Sequence, residues 1–283
     1  VVDENESVGD FTGRVVVVTG ANSGIGLAAA HEFARRGARV ALVGRDAGRL
    51  DEAVSGVRVT AGDDAAAQGF RSDFAMLDSV RELAGSLAKA YPAIDVLCNN
   101  AGSIIHKRQL TVDGHELTIQ ANHLAPFLLT NLLRERLSGG RVVNTSSDAH
   151  GSGALDPDAL GGPDRYRPMA VYGSSKQANI LFAAEAARRW PDILSFSYHP
   201  GVVRTRFGRG SGMYTFFYKV APFLRTPEKG ADTMVWLAGA DPSTVDNGAY
   251  YVDRARVTPS SKIADTGLPA RLWAASERAV GLS

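Results

Sequence analysis

Residues 14–19 read RVVVVT, a β-branched run closed on both sides by glycine, Gly13 and Gly20. A run with no polar alternation suits a strand buried on both faces, the situation found in parallel sheets. It runs directly into Thr19-Gly20-Ala21-Asn22-Ser23-Gly24-Ile25-Gly26, and helical spacing then extends from Gly24 to Arg36 and stops at Gly37. Glycines between a strand and a helix permit a tight turn, a close approach of backbone to a pyrophosphate, and close helix–strand packing. The helix N-terminus adds N–H donors and partial positive charge. The spacing is GxxxGxG rather than GxGxxG, and no Gly-Lys-Ser/Thr follows, so this is not a P-loop. Placed here, Gly20, Asn22, Ser23, Gly24, Ile25 and Gly26 read as a dinucleotide-binding turn; an ordinary glycine-rich βα turn is the alternative.

The alternation continues along the chain. Strands are expected at residues 39–43, 68–71, 95–98, 141–145 and 193–198, and helices at 46–55, 75–91, 113–137 and 169–189, with Asp46 capping the first of these. Strands separated by helices of this length make right-handed βαβ units. The expected fold is α/β: a single-domain Rossmann fold with a doubly wound, mainly parallel, seven-stranded sheet. Residues 151–168 and 204–227, rich in Gly, Pro or charge, interrupt the alternation and read as loops. The 283 residues allow two domains by length, but these interruptions read as loops rather than domain boundaries, so a single domain is expected, with a C-terminal extension at 253–283.

Composition removes several classes of function. Lys and Arg number 31 against 30 Asp and Glu, so no strong field favours nucleic acid. A single cysteine excludes a disulfide framework and a Cys-rich zinc site, and no metal is expected. The opening VVDENESVGD is acidic and unlike a secretory signal, and no apolar run approaches a membrane span. A cytoplasmic protein that does not engage a membrane is the expectation, and the Ala/Arg/Gly-rich composition points to a GC-rich bacterial source.

The end of the second strand bears on the cofactor. It reads Leu42-Val43-Gly44-Arg45, with no acid to accept a hydrogen bond from the ribose 2′-hydroxyl of NAD. Arg45 offers a planar fork that suits a 2′-phosphate, so NADP(H) is expected over NAD(H). A plain surface role for Arg45 is the competing reading.

Tyr172 and Lys176 stand four apart in a helical segment, on one face. A neighbouring ammonium favours phenolate, which suits a tyrosine to proton transfer at a carbonyl oxygen near neutral pH. Alone the pair is a weak signal. In order along the chain, however, stand the glycine turn, Asn99-Asn100-Ala101-Gly102, Ser146-Ser147, Tyr172/Lys176 and Pro200-Gly201. Together these resemble the short-chain dehydrogenase/reductase family over about residues 12–252. The longer segments TVDG (111–114), NHL (122–124), YGSSKQAN (172–179) and HPGVV (199–203), with Leu272-Trp273 and Ser276-Glu277-Arg278, look like its retinol-dehydrogenase-like branch.

The resemblance implies roles. Tyr172 would be the acid/base, and Lys176 would lower its pKa and hold the nicotinamide ribose. Ser147, rather than Ser146, would hydrogen-bond the substrate oxygen. Asn122 would hold a water continuing the proton relay, and Pro126, four residues on, should kink that helix. Asn99 would support the pocket, Asp73 with Phe74 would meet the adenine, and Ala101, Gly102, Pro200, Gly201, Val203 and Thr205 would line the cofactor. The partner is then a small-molecule carbonyl or alcohol, and a homodimer or homotetramer is the expected assembly. Ser147 and Tyr172 stand 25 residues apart, well beyond the spacing in shorter family members, and the branch shares this lengthening.

Other residues invite weaker readings. His31 reads as packing or surface, and His115 and His123 lack a metal-ligand pattern. His150 and His199 either face the substrate and nicotinamide or serve structure. Cys98 reads as a small core residue. The resemblance implies a core over 12–252 and a substrate lid at 204–226, and the aromatic runs 213–218 and 220–224 there suggest a lipophilic substrate, with packing or an interface as alternatives. An NADP(H)-preferring carbonyl reductase or alcohol dehydrogenase leads. A non-catalytic dinucleotide sensor or scaffold, and an epimerase or dehydratase, stand as alternatives.

Overall fold

The computed structural model describes residues 9–162, 165–203 and 224–282. Its strands form one eight-stranded sheet in the order β3-β2-β1-β4-β5-β6-β7-β8. These are β1 Val15–Thr19, β2 Arg39–Gly44, β3 Ala67–Arg71, β4 Val96–Asn99, β5 Arg141–Thr145, β6 Leu194–His199, β7 Tyr250–Val252 and β8 Ala255–Arg256. β1 to β7 pair in parallel, and β8 returns antiparallel on β7 through Asp253 and Arg254, both at positive φ. The expected seven strands thus gain an eighth. It is a two-residue hairpin return without apolar patterning, so no periodicity announced it.

Period-2 burial explains why the β1 run must be apolar throughout. Val15 and Val17 enter one core, and Val16 and Val18 enter the other. The first core holds α3 Leu77–Ala90, α5 Ala125–Leu132 and α6 Pro168–Arg189; the second holds α1 Gly24–Arg35, α2 Ala47–Ala61 and α7 Pro227–Gly239. The strand order reverses direction between β1 and β4, and there the carboxyl ends of the strands open a crevice.

The region expected as one helix over 113–137 is different. Residues 110–116 form a turn with Gly114 at φ +83° and a bridge between Leu110 and Glu116. The helical stretch follows as α4 Leu117–Ile119, a π-helical turn Gln120–Leu124, and α5. Pro126 supplies the reason for the middle piece. In an α-helix the Asn122 carbonyl would accept from the N–H of residue 126, which a proline lacks, and the Ala125 N–H instead bonds to Gln120 O, five residues back.

The loop 151–168 carries two short 3₁₀ turns and is tied inward. Tyr166 donates to Ile105 O at 2.7 Å and reaches the buried Glu116 carboxylate at 3.2 Å. The extension contributes α8 Leu268–Ala279, whose Trp273 packs edge-on against Phe127 and Trp190. His123 reaches Ser276 Oγ at 2.9 Å, and His115 reaches Ala279 O at 2.9 Å. Burial drives the His123 imidazole down to about 4, so it sits neutral in this core. Burial likewise pushes the Cys98 thiol up, as suits a core residue.

Candidate active site

The crevice at the sheet's reversal holds a cavity of about 850 Å³ that runs from the first βα turn to the N-terminal half of α6. At one end, Gly20, Asn22, Ser23, Gly24 and Ile25 form its floor. Gly26 lies behind them. A Cβ there would stand 2.5 Å from Gly20 O and 2.6 Å from Asn100 Nδ2, so only glycine lets α1 close on β1 and β4. Asn100 donates from Nδ2 to Thr19 O at 2.9 Å, and Thr19 Oγ1 accepts from the N–H groups of Asn100 and Ala101. These bonds join the first turn to the residues after β4.

Arg45 lines this end with 73% of its side chain exposed and lies 3.9 Å from an Asp73 oxygen. Asp73 and Phe74 line it too. Asp46 caps α2 by accepting the Arg49 N–H at 3.0 Å, and this carries Arg49 to the same wall. Hydrogen bonds from Arg49 hold the Asp46 carboxyl below its usual range. The sequence reading passed over Arg49, although its place one turn after a helix-capping Asp was visible there.

At the other end, Ser147, Tyr172 and Lys176 share the wall with Ala101, Gly102, Pro200, Gly201 and Val203. Lys176 is buried; its Nζ donates to Thr145 O at 3.0 Å and sits 5.4 Å from the Tyr172 ring centre. Burial drives its ammonium down to about 7. Both serines line the cleft, but Ser146 is buried and its hydroxyl is spent on Lys176 O at 2.9 Å, whereas Ser147 is only half-buried.

Asn122 stands behind the wall, fully buried. Its Nδ2 donates to Ser103 O at 2.9 Å and to Ser175 Oγ at 3.0 Å, and its Oδ1 accepts from the Ser103 N–H at 2.8 Å. Asn99 is buried as well, donating to Thr130 Oγ1 and Asn144 Oδ1, each at 3.0 Å. It braces β4 and β5 beneath the pocket rather than facing it. Thr205, and residues 204–223 of the expected lid, lie outside the described residues.

Of the two open histidines, His199 lines the cleft. His150 does not; it is buried between Ser147 and Ser260. Ile104, Ile105, Leu117, Ala121 and Met169 add an apolar wall, and Asp148 an acid, that sequence spacing did not single out. They come from loops and helix ends whose direction only the packed fold defines. Among the described residues no cluster of His, Cys, Asp or Glu could hold a metal, and no helix is long and apolar enough to cross a membrane.

The cleft fits an extended dinucleotide. A Cβ on Gly102 would stand 3.2 Å from Asn122 Oδ1 and 3.5 Å from Lys176 Nζ, so the missing side chain keeps the middle of the cleft open. Backbone N–H groups at the start of α1 suit phosphates, and Arg45 and Arg49 suit an anion further along.

A family model described as short chain dehydrogenase matches residues 14–212, and the chain belongs to the short-chain dehydrogenase/reductase family of oxidoreductases. Within it, the chain falls in the retinol-dehydrogenase-like branch. It is 36% identical to human retinol dehydrogenase 13 over 284 residues, covering 95% of this chain and 85% of the relative. It is 56% identical over 275 residues to DnrU of Streptomyces sp. (strain C5), named as a candidate daunorubicin C-13 ketoreductase, covering 96% and 94% of the two chains. A short chain dehydrogenase from Shigella flexneri, solved with NADP, superposes with a TM-score of 0.67 at 26% identity, covering 88% of this chain and all of that one. Membership of this family, with NADP-bound structural neighbours, supports binding of a nicotinamide dinucleotide and action on a small molecule.

Proposed function

We propose that the chain is an NADP(H)-preferring carbonyl reductase, working reversibly as an alcohol dehydrogenase, on a bulky lipophilic ketone. The observation that carries this reading is the meeting of Ser147, Tyr172 and Lys176 on one wall of a cleft whose other end is the glycine turn and Arg45. The bound nicotinamide supplies or accepts the hydride. Residues 20–25 would hold its diphosphate through backbone N–H groups, and Arg45 with Arg49 would take the 2′-phosphate.

The chain's own part in the chemistry is positioning and proton handling. The Ser147 hydroxyl donates to the carbonyl oxygen, and the Tyr172 hydroxyl delivers the proton there as negative charge develops. Lys176, held to about 7 by burial, can both give and take a proton near neutral pH and so reload Tyr172. Asn122, buried behind this wall in the π-helical turn, is the residue to which the family resemblance gives a water that extends the relay. Ile104, Ile105, Leu117 and Met169 favour an apolar substrate body and exclude water from the reacting centre. The name of the Streptomyces relative fits a ketone borne on a large ring system.

The test is Tyr172→Phe against a carbonyl panel, following NADPH absorbance at 340 nm. The variant is expected to bind NADPH as the parent does and to lose about 10²–10⁴-fold in turnover. Wild-type turnover by Tyr172→Phe would reject the mechanism. Cofactor recycling with no net absorbance change in the parent enzyme would move the assignment to an epimerase or dehydratase.

A further inference from the structure

The chain leaves the sheet at Ser147. Up to Ser146 the ladder still holds it, through the Ser146 N–H on Tyr198 O at 2.7 Å. Beyond that point, the peptide joining Ser147 to Asp148 has no strand partner, yet both of its polar groups are engaged by imidazoles. The Ser147 carbonyl accepts the His150 backbone N–H at 3.0 Å, closing a short turn, and also lies 2.8 Å from His150 Nδ1. The other ring nitrogen, Nε2, accepts the Ser260 N–H at 3.0 Å, which places the His150 proton on Nδ1 and makes it a donor to Ser147. On the other side of the same peptide, the Asp148 N–H donates to His199 Nδ1 at 3.4 Å. His199 must then carry its proton on Nε2, and that nitrogen faces the Asp148 carboxylate at 3.2 Å.

Tyr250 closes the arrangement. Its hydroxyl donates to Asp148 Oδ1 at 3.3 Å, and its ring meets His150 edge-on at 5.3 Å. One peptide plane is thus tied to the end of β6, to β7 and to the segment at Ser260. Burial holds the His199 imidazole below its usual value, in keeping with a neutral ring.

We propose that His150 and His199 are positioning residues that clamp the Ser147–Asp148 peptide and so fix the Ser147 hydroxyl relative to Tyr172. The inference rests on the reading of Ser147 as the donor to the substrate carbonyl. The histidines transfer no proton to substrate. They fix the plane from which Ser147 Cα departs, and a displacement of about 1 Å at a reacting centre can cost on the order of 100-fold in rate.

The experiment is a double-mutant cycle on the full chain, using the best ketone from the carbonyl panel, with NADPH affinity and Tm read for every variant. His199→Leu and, independently, His150→Leu are expected to lower kcat about 10- to 100-fold while leaving the NADPH Kd within about twofold. His199→Asn, which keeps an acceptor near the Nδ1 position, is expected to restore most of the loss, and His199→Gln less. In a Ser147→Ala background, the leucine substitutions should cost less than about threefold, because the group they position is gone. Losses that multiply fully with that of Ser147→Ala, or wild-type kcat in both leucine variants, would overturn the clamp. A large loss in Ser147→Ala with none in either leucine variant would sink the clamp alone. Full turnover by Ser147→Ala would instead reject the reading of the serine itself. Should His199→Leu fail to fold, the same cycle run with His150→Leu decides the question.

Discussion

The nucleotide end of the cleft draws its floor from consecutive residues of one βα turn, whereas the chemical end gathers side chains from the β5 edge, α6 and the β6 edge. The first works through backbone. Its requirement is the absence of side chains, and Gly26 meets it because any Cβ would strike Gly20 O. The second works through side chains held in place by burial: Lys176 on Thr145 O, Ser146 on Lys176 O, Asn122 between Ser103 and Ser175. A local backbone device can be broken by adding atoms. A converged side-chain device is broken by removing them.

That contrast can be tested by substitutions that fail in opposite ways. Of the substitutions that separate the two ends, Ser147→Ala, which removes one donor to the developing oxyanion, should have the largest effect. It should lower kcat by about 10²–10³-fold with NADPH affinity preserved. Gly26→Val should do the reverse, weakening NADPH binding about 100-fold or more by separating α1 from the turn, as read by fluorescence titration. Retention of tight NADPH binding in Gly26→Val would show that the turn tolerates a shifted helix and would erase the contrast.

Arg45→Asp should act at the nucleotide end alone. Loss of a charge-assisted contact to a 2′-phosphate is expected to lower the NADP-to-NAD ratio of kcat/KM by about 10-fold or more. An unchanged ratio would remove Arg45 from the 2′-phosphate site and leave Arg49 as its cation.

The smallest expected effect is a pH dependence of stability. The folded-state pKa of Lys176 is about 7, below its ordinary value of 10.5. Between those values the unfolded chain holds a proton that the folded chain has released, so stability rises with pH across that window. The Tm of the cofactor-free protein is expected to gain at least about 2–4 °C between pH 7 and pH 9 from this group. Lys176→Met should flatten that rise, and an identical slope in the variant would show that Lys176 keeps its charge in the core.

The degree to which sequence revealed each region follows the same division. β1, the turn and α1 were legible almost to the residue, because burial on both faces, glycine placement and helical spacing are all local signals. Asp46 was legible as a cap for the same reason. The helix expected over 113–137 was not, since its hydrophobic spacing continues through a turn at Gly114 and a π segment before Pro126 that periodicity cannot register. Of the site residues, Ser147, Tyr172 and Lys176 line the cleft while Asn99, Asn122 and Gly26 stand behind it. The motif order named all six but marked only Asn99 as support. His150 and His199 were left open between two readings, and spacing could not decide between them. Their roles depend on Ser147, Asp148 and Ser260, and contact with Ser260 spans 110 residues of chain.

By itself, then, the sequence determined the family, the parallel sheet, the glycine turn and the set of candidate site residues, because each depends on interactions between near neighbours or on an ordered set of short motifs. Tertiary structure alone decided which of those side chains reach the cleft, how far burial lowers the Lys176 ammonium, and how the Ser147–Asp148 peptide is held. Those properties arise from desolvation and from hydrogen bonds between segments far apart in the chain, and packing has to bring the segments together before either can act.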